Sequence, residues 1–216
     1  MRSGVFITLE GGEGAGKTTQ QALLAERLQQ EGYACLCTRE PGGTALGQEL
    51  RALLLHGDPI SPLAELLLYA ADRAEHVQTR IRPALAAGQV VICDRFTDST
   101  LAYQGYGRGL DLDLIRQLNQ LATGNLQPHL TLWLDLPLQV GLERARSRQT
   151  AHLSGAKKFS PVDRMEQAQW PFHQRLYQGF QELAATEPQR IVRIDAQGSP
   201  EEVARRIWAV VKSRLG

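Results

Sequence analysis

Val5-Phe6-Ile7-Thr8-Leu9 runs almost directly into Gly11-Gly12-Glu13-Gly14-Ala15-Gly16-Lys17-Thr18, and no other stretch of the 216 residues constrains the fold as much. A short apolar, β-branched run reads as a buried strand, and the glycine-rich stretch after it reads as a turn that opens a helix. Glycines at the spacing G-x-x-x-x-G-K-[ST] let successive backbone N–H groups close around an oxyanion at a helix N-terminus, where unpaired donors and the helix dipole favour negative charge. Residues 11–18, with Thr19 behind them, are therefore assigned to a polyphosphate. Lys17 would reach its terminal phosphates and Thr18 would offer a hydroxyl to a Mg²⁺ ion travelling with it. The plainer alternative is a glycine-rich turn that binds nothing.

Strand-like runs at 5–10, 33–38, 89–94, 130–135 and 190–195 each precede a helical pattern, with helices expected over 17–31, 63–87 and 111–122, from 137 onward, and over 200–215. That alternation predicts an α/β fold, a five-stranded parallel sheet with helices on both faces, in one domain spanning 1–216. Twenty-four basic against 23 acidic side chains leave no global field to hold nucleic acid or an anionic membrane, so anion binding must be local. Cys35, Cys37 and Cys93 lie in strand-like runs without zinc-ligand spacing and read as small buried hydrophobes of a reduced cytosol. No apolar run approaches the ~20 residues of a membrane span, and the expected location is cytoplasmic. Arg146 to Arg164, with His152, Lys157 and Lys158, has no clear period and reads as a mobile basic loop, either a solvated surface segment or a nucleotide-covering lid.

Three further constellations carry chemistry. Thr38-Arg39-Glu40-Pro41-Gly42-Gly43-Thr44 ends the second strand, where open parallel sheets bind ligands. Arg39 suits a phosphate there, although an Arg39–Glu40 ion pair bracing the turn explains the same residues. Asp94-Arg95-Phe96-Thr97-Asp98-Ser99-Thr100-Leu101-Ala102-Tyr103-Gln104 ends the third strand. Asp94 suits Mg²⁺, or a helix N-cap. If the chain is helical from Asp94, then Arg95, Ser99 and Tyr103 share one polar face. Tyr69 and Arg73 stand one helical turn apart, an aromatic ring and a guanidinium suited to a nucleobase, or else a core tyrosine and a surface arginine.

Together G-x-x-G-A-G-K-T-T, T-R-E-P-G-G-T, D-R-F-x-x-S-x-x-A-Y-Q and a late D-R-x-E resemble the bacterial thymidylate kinases over nearly the whole chain. The resemblance implies a P-loop NTPase fold of the nucleoside monophosphate kinase type, with the P-loop at 11–18, a monophosphate-binding region at about 39–110 and a lid at about 146–164. It also implies Mg-ATP as donor, dTMP as acceptor and a homodimer, with the leucine-rich zone of 64–87 available as its face. Carried onto this sequence, it places Arg39, Arg95 and Arg51 at the dTMP phosphate, with Glu40 and Pro41 in the same substrate turn. Tyr69 falls where the family usually has a phenylalanine stacked on thymine, and Arg73 matches the arginine that reads O4. Ser99, Thr100 and Gln104 fall at the base edge, Tyr103 against the sugar, and Asp163 and Glu166 near the sugar. Glu13 matches the acidic P-loop position near the acceptor and its Mg²⁺. The bacterial class puts a catalytic arginine in the lid, here Arg148, with Arg144 and Arg146 as alternates. Another P-loop nucleotide or deoxynucleoside kinase, or a nucleotide-dependent switch without transfer activity, is the rival; the sequence has no guanine-reading N-K-x-D run.

Overall fold

The computed structural model describes residues 4–154 and 169–215, including every side chain within them except those of 148–154. Strands β1 (Val5–Glu10), β2 (Cys35–Arg39), β3 (Val90–Asp94), β4 (Leu130–Asp135) and β5 (Ile191–Asp195) form one parallel sheet in the order β2-β3-β1-β4-β5. Their limits follow the expected runs closely. Helices follow as α1 (Lys17–Gln30), α2 (Ala45–His56), α3 (Pro62–His76), α4 (Arg82–Ala86), α5 (Thr97–Thr100), α6 (Leu112–Thr123), α7 (Leu138–Ser154), α8 (Trp170–Thr186) and α9 (Pro200–Leu215). No helix among the described residues is long and apolar enough to cross a membrane.

Side-chain alternation along the central strands splits the core between the two faces of the sheet. Ile7, Leu9, Ile92 and Leu132 pack with Leu24 and Leu28 of α1 and with Ile207 and Val211 of α9. Phe6 and Val91 face the other way, against Val77, Ile81 and Ala84. A third cluster joins Trp133 to α8 and to the segment Leu101–Gly107, through Tyr103, Phe172, Leu176 and Phe180. Parallel strands covered on both faces leave little room for polar side chains, and Thr8 and Thr131, both fully buried, meet each other at 2.8 Å between hydroxyls.

Four expectations need correction. The helix read over 63–87 is two helices joined by a π-helical turn at Val77–Ile81. Helix α2 was not among the expected helices; it opens straight after the Pro41-Gly42-Gly43 turn. Gly47 is helical, and a Cβ there would strike the Asp72 carboxylate. The basic segment expected as a loop from Arg146 is helical through Ser154, since arginine, glutamine, alanine and leucine are good helix formers that need no apolar stripe to continue a helix already begun. Its remainder, with Lys157, Lys158, Asp163, Arg164 and Glu166, lies outside the described residues. Of the cysteines only Cys93 is buried; Cys35 is half-buried and Cys37 exposed, because β2 is an edge strand.

Candidate active site

The order of the strands places the C-terminal ends of β1, β2 and β3 side by side, with Arg39 of β2 and Leu9 of β1 both in register with Asp94 of β3. The chain leaves β1 toward β2 on one side and leaves the adjacent β3 toward β4 on the other, which opens a crevice at this edge. The P-loop crosses it. Gly11, Gly14 and Gly16 have φ of 139°, 71° and 90°, and a Cβ on Gly14 would run into the carbonyl of Gly141. Lys17, 8% exposed, donates from Nζ to the carbonyls of Gly11 and Gly12, each at 2.9 Å. Burial and the nearby Arg95 lower its pKa to about 8, against the pull of Glu13, Asp94 and Glu10.

Arg95 lies before α5 rather than on it, so the shared helical face expected from 95, 99 and 103 does not exist as such. Its φ is +72°, a left-handed conformation that costs a residue with a Cβ roughly 1–3 kcal/mol. The three side chains nevertheless converge. Arg95 donates from Nη2 to Oε1 of Glu13 at 2.8 Å and from Nη1 to Oγ of Ser99 and to the Gly11 carbonyl, both at 3.3 Å, and its guanidinium lies 4.7 Å from the centre of the Tyr103 ring. Tyr103 donates its hydroxyl to the same Glu13 oxygen at 2.7 Å. Burial alone would raise the Glu13 pKa, but Arg95, Lys17 and the Tyr103 hydroxyl bring it down to about 2.

The strained turn has a brace that the sequence did not reveal. Glu10, wholly buried at the end of β1, accepts at Oε1 from the backbone N–H of Phe96 at 2.8 Å and of Ser99 at 3.3 Å, and at Oε2 from the Ser99 hydroxyl at 2.5 Å. It serves as the capping carboxylate of α5, from a strand 86 residues away. Burial first, and then the charge of Asp98, raise its pKa. Asp94 is therefore not the N-cap. It accepts from Thr18 Oγ1 at 3.1 Å through Oδ2, while Oδ1 is buried without a hydrogen-bond partner. An orphaned carboxylate oxygen beside a threonine hydroxyl, at the mouth of a phosphate loop, suits a hard cation with oxygen ligands.

Two cavities meet here. One is bounded by the P-loop from Glu13 to Thr19, with Arg39 and Asp94. The other is a slot between apolar walls, Leu55, Tyr69 and Phe96, with Pro41, Arg73, Ser99, Thr100, Tyr103 and Gln104 supplying its polar groups. Glu13, Glu40, Arg51 and Arg95 line both. Arg39 is exposed and borders only the P-loop cavity. Arg51 donates to the Pro41 carbonyl at 2.9 Å, which ties α2 to the turn.

Arg73 is 1% exposed and held on three sides: Nε to Glu40 at 2.8 Å, Nη1 to Asn119 Oδ1 at 2.7 Å and Nη2 to the Phe96 carbonyl at 3.1 Å. Of five N–H donors, two remain for a ligand. Glu40 spends its other oxygen on His76 Nδ1 at 2.9 Å, and His76 Nε2 meets the Thr38 hydroxyl at 2.6 Å. Thus Glu40 does brace the turn, but through Arg73 and His76 rather than Arg39, and both its oxygens are engaged in orienting those neighbours at the wall of the slot. Beside it the Gly42 N–H donates to Asp72 at 3.1 Å, and burial together with Glu40 raises the Asp72 pKa to about 6. A Cβ on Gly43 would collide with the His76 ring, so the two glycines are there for close approach. Glu10, Glu65, Asp72, His76 and Asn119 were all missed from sequence. The only hint was an acid closing an apolar strand at Glu10 and one adjoining Arg73 at Asp72. Arg144 and Arg146 are exposed on α7, and the Arg148 side chain lies outside the described residues.

The thymidylate kinase family profile matches residues 9–207, a span that takes in both cavities. The chain belongs to the thymidylate kinase family. It is 75% identical to a thymidylate kinase of Synechococcus sp. (strain JA-2-3B'a(2-13)) over 98% of this chain and 96% of that one. It is 54% identical to a thymidylate kinase of Syntrophotalea carbinolica over 97% of this chain and 96% of that one. The crystal structure of thymidylate kinase from Ehrlichia chaffeensis superposes with a TM-score of 0.77 at 35% identity, covering 97% of this chain and 99% of the other.

Proposed function

We propose that the chain transfers the γ-phosphoryl group of ATP to dTMP, giving ADP and dTDP, with the P-loop cavity as the donor site and the slot as the acceptor site. The observation that carries this assignment is the shared wall: Arg95 and Arg51 border both cavities, so a phosphoryl group can pass from one side to the other without leaving the reach of the same cations. The acceptor phosphate has a second pKa of about 6 and is already largely a dianion near neutral pH, so no general base is required. What the protein must supply is alignment and positive charge around a loose transition state.

Lys17 and the P-loop N–H groups take the donor phosphates, Arg95 and Arg51 take the acceptor side, and Arg39 meets the phosphoryl group in transfer from the wall of the P-loop cavity. In the free protein Arg95 is occupied by Glu13. An incoming phosphate competes for that guanidinium, and the strained backbone at Arg95 keeps it aimed at the shared wall. Thr18, Asp94 and Glu13 are the residues that would hold Mg²⁺, which when bound neutralises phosphate charge. Tyr69 and Phe96 flank the thymine ring, and Arg73 turns its remaining donors to O4. The 4-amino group of cytosine would oppose those donors in a dry site, which supports strong rejection of dCMP. Arg148 is assigned as the catalytic lid arginine, and the cytoplasm is the assigned compartment. Leu53, Leu63 and Leu67, about half exposed on α2 and α3, support a homodimer face there, which sedimentation at micromolar concentration tests.

The deciding experiment is ADP release with Mg-ATP against dTMP, dUMP, dCMP, dGMP, AMP and thymidine. Rapid turnover with dTMP, slower with dUMP and negligible with the rest is expected. Preference for thymidine or for another monophosphate would overturn the acceptor assignment.

A further inference from the structure

Gln104 lies in the π-helical segment Leu101–Gly107, is 2% exposed and borders the slot. Its Nε2 donates to Oε1 of Glu65 at 2.8 Å. Glu65 is 1% exposed in the first turn of α3, where Ser61 caps the helix and its carboxylate is further engaged by Arg108, Nε to Oε1 at 3.3 Å and Nη2 to Oε2 at 3.2 Å. The Arg108 guanidinium in turn lies 5.3 Å from the centre of the Phe172 ring. A terminal amide has two ends alike in shape and opposite in hydrogen-bond polarity. Packing cannot choose between them, but an ionised carboxylate can, because it only accepts.

We infer that Glu65 is a positioning residue for base selection: by taking the N–H₂ end of Gln104 it commits the Gln104 carbonyl to the slot as the acceptor for the N3–H of thymine. This rests on the slot being the dTMP site. Thymine presents an acceptor at O4 and a donor at N3, whereas cytosine presents a donor at its 4-amino group and an acceptor at N3. Arg73 supplies donors and Gln104, so held, supplies the acceptor, so cytosine meets like against like at both positions. Neither Glu65 nor Arg108 borders the slot, and Gln104 is the slot residue to which Glu65 hydrogen-bonds.

The test compares kcat/KM for dTMP and dCMP in Glu65→Leu, Glu65→Gln, Gln104→Leu and the double variant Glu65→Leu/Gln104→Leu. Glu65→Leu frees the amide to turn and is expected to reduce the preference for dTMP at least about tenfold, through a higher KM for dTMP, with kcat and the KM for ATP close to the unsubstituted protein. Glu65→Gln puts an amide there that can present either end, and is expected to lose part of the preference, less than Glu65→Leu does. The double variant is expected to lose no more than Gln104→Leu alone. Unchanged preference in Glu65→Leu beside a loss in Gln104→Leu overturns the role of Glu65 while leaving Gln104 as the reader of the base. Unchanged preference in Gln104→Leu overturns the assignment of Gln104 and the inference with it. Should Glu65→Leu fail to fold, dTMP labelled with ¹⁵N at N3 and bound to the unsubstituted protein gives the answer by NMR. A protected, downfield imino proton that is lost in Gln104→Leu supports the inference, and its absence from the unsubstituted complex overturns it.

Discussion

The donor and acceptor halves of this site are built on opposite principles. The proposed donor half is built chiefly on one continuous segment, residues 11–19, which offers mostly backbone N–H groups and whose shape comes from glycines at positive φ. The proposed acceptor half gathers side chains from the turn after β2, from α2, α3 and α5 and from the segment after it, and orients them with buried charges. Arg73 is fixed by Glu40 and Asn119, Glu40 by His76, and Gln104 by Glu65. Backbone recognition needs few companions. Side-chain recognition of a base edge needs each donor and acceptor locked, since a rotated amide or guanidinium reads a different base. The lesson is that losses in the donor half should appear as lost chemistry in a stable protein, and losses in the acceptor half as lost selectivity together with lost stability.

The largest expected effect sharpens the donor side of that contrast. Lys17→Ala removes the phosphate-binding ammonium, and kcat is expected to fall roughly 10³-fold or more while the thermal midpoint stays within a few degrees. Unfolding of that variant at room temperature would show that the P-loop is held by its lysine and erase the contrast. On the acceptor side, Glu40→Ala leaves Arg73 and His76 buried without their carboxylate, and a stability loss of about 3 kcal/mol or more in urea titrations is expected. A variant as stable as the parent would break the comparison from the other end.

Smaller effects separate the halves by readout. Arg73→Ala is expected to lower the dTMP preference over dCMP by about 10- to 100-fold without changing the KM for ATP, as competition kinetics would report. The pH dependence isolates the donor half. Lys17 is charged below its lowered pKa of about 8 and neutral above it, so kcat/KM for ATP is expected to fall on the alkaline side of about pH 8. The corresponding limb in kcat should move to higher pH, because bound phosphates favour the charged amine. A profile flat to pH 10 would remove Lys17 from that role. The least effect is expected from deleting the thymine methyl group: dUMP should be weaker than dTMP by about tenfold, as one methyl in an apolar slot allows.

Much of the fold was legible because its signals are local. The buried strands are short β-branched runs, and the glycines of the P-loop sit at fixed spacing beside one of them. Helix α2 was hidden by Gly47, which reads as a breaker but stands where Asp72 comes too close for any side chain. The polar wall at Arg95, Ser99 and Tyr103 was anticipated for a reason that failed, since Arg95 is not helical. The three meet because Glu10, far off in sequence, holds the turn between them. Glu40 was read as a local partner of Arg39, whereas its partners lie 33 and 36 residues on.

What the amino-acid sequence determined by itself, then, is the parallel sheet, the phosphate loop and the chemical types gathered at the ends of the strands, because hydrophobic period, glycine spacing and residue chemistry act over one or two turns of chain. Tertiary structure alone decided which acids stand at the mouth of the phosphate loop and which orient an arginine or an amide. It also decided that Cys37 would be exposed, and that Asp94 would keep an unpartnered oxygen beside Thr18. The physical reason is that a buried carboxylate is defined by its partners, and in this protein those partners come from strands and helices that meet only when the sheet has closed.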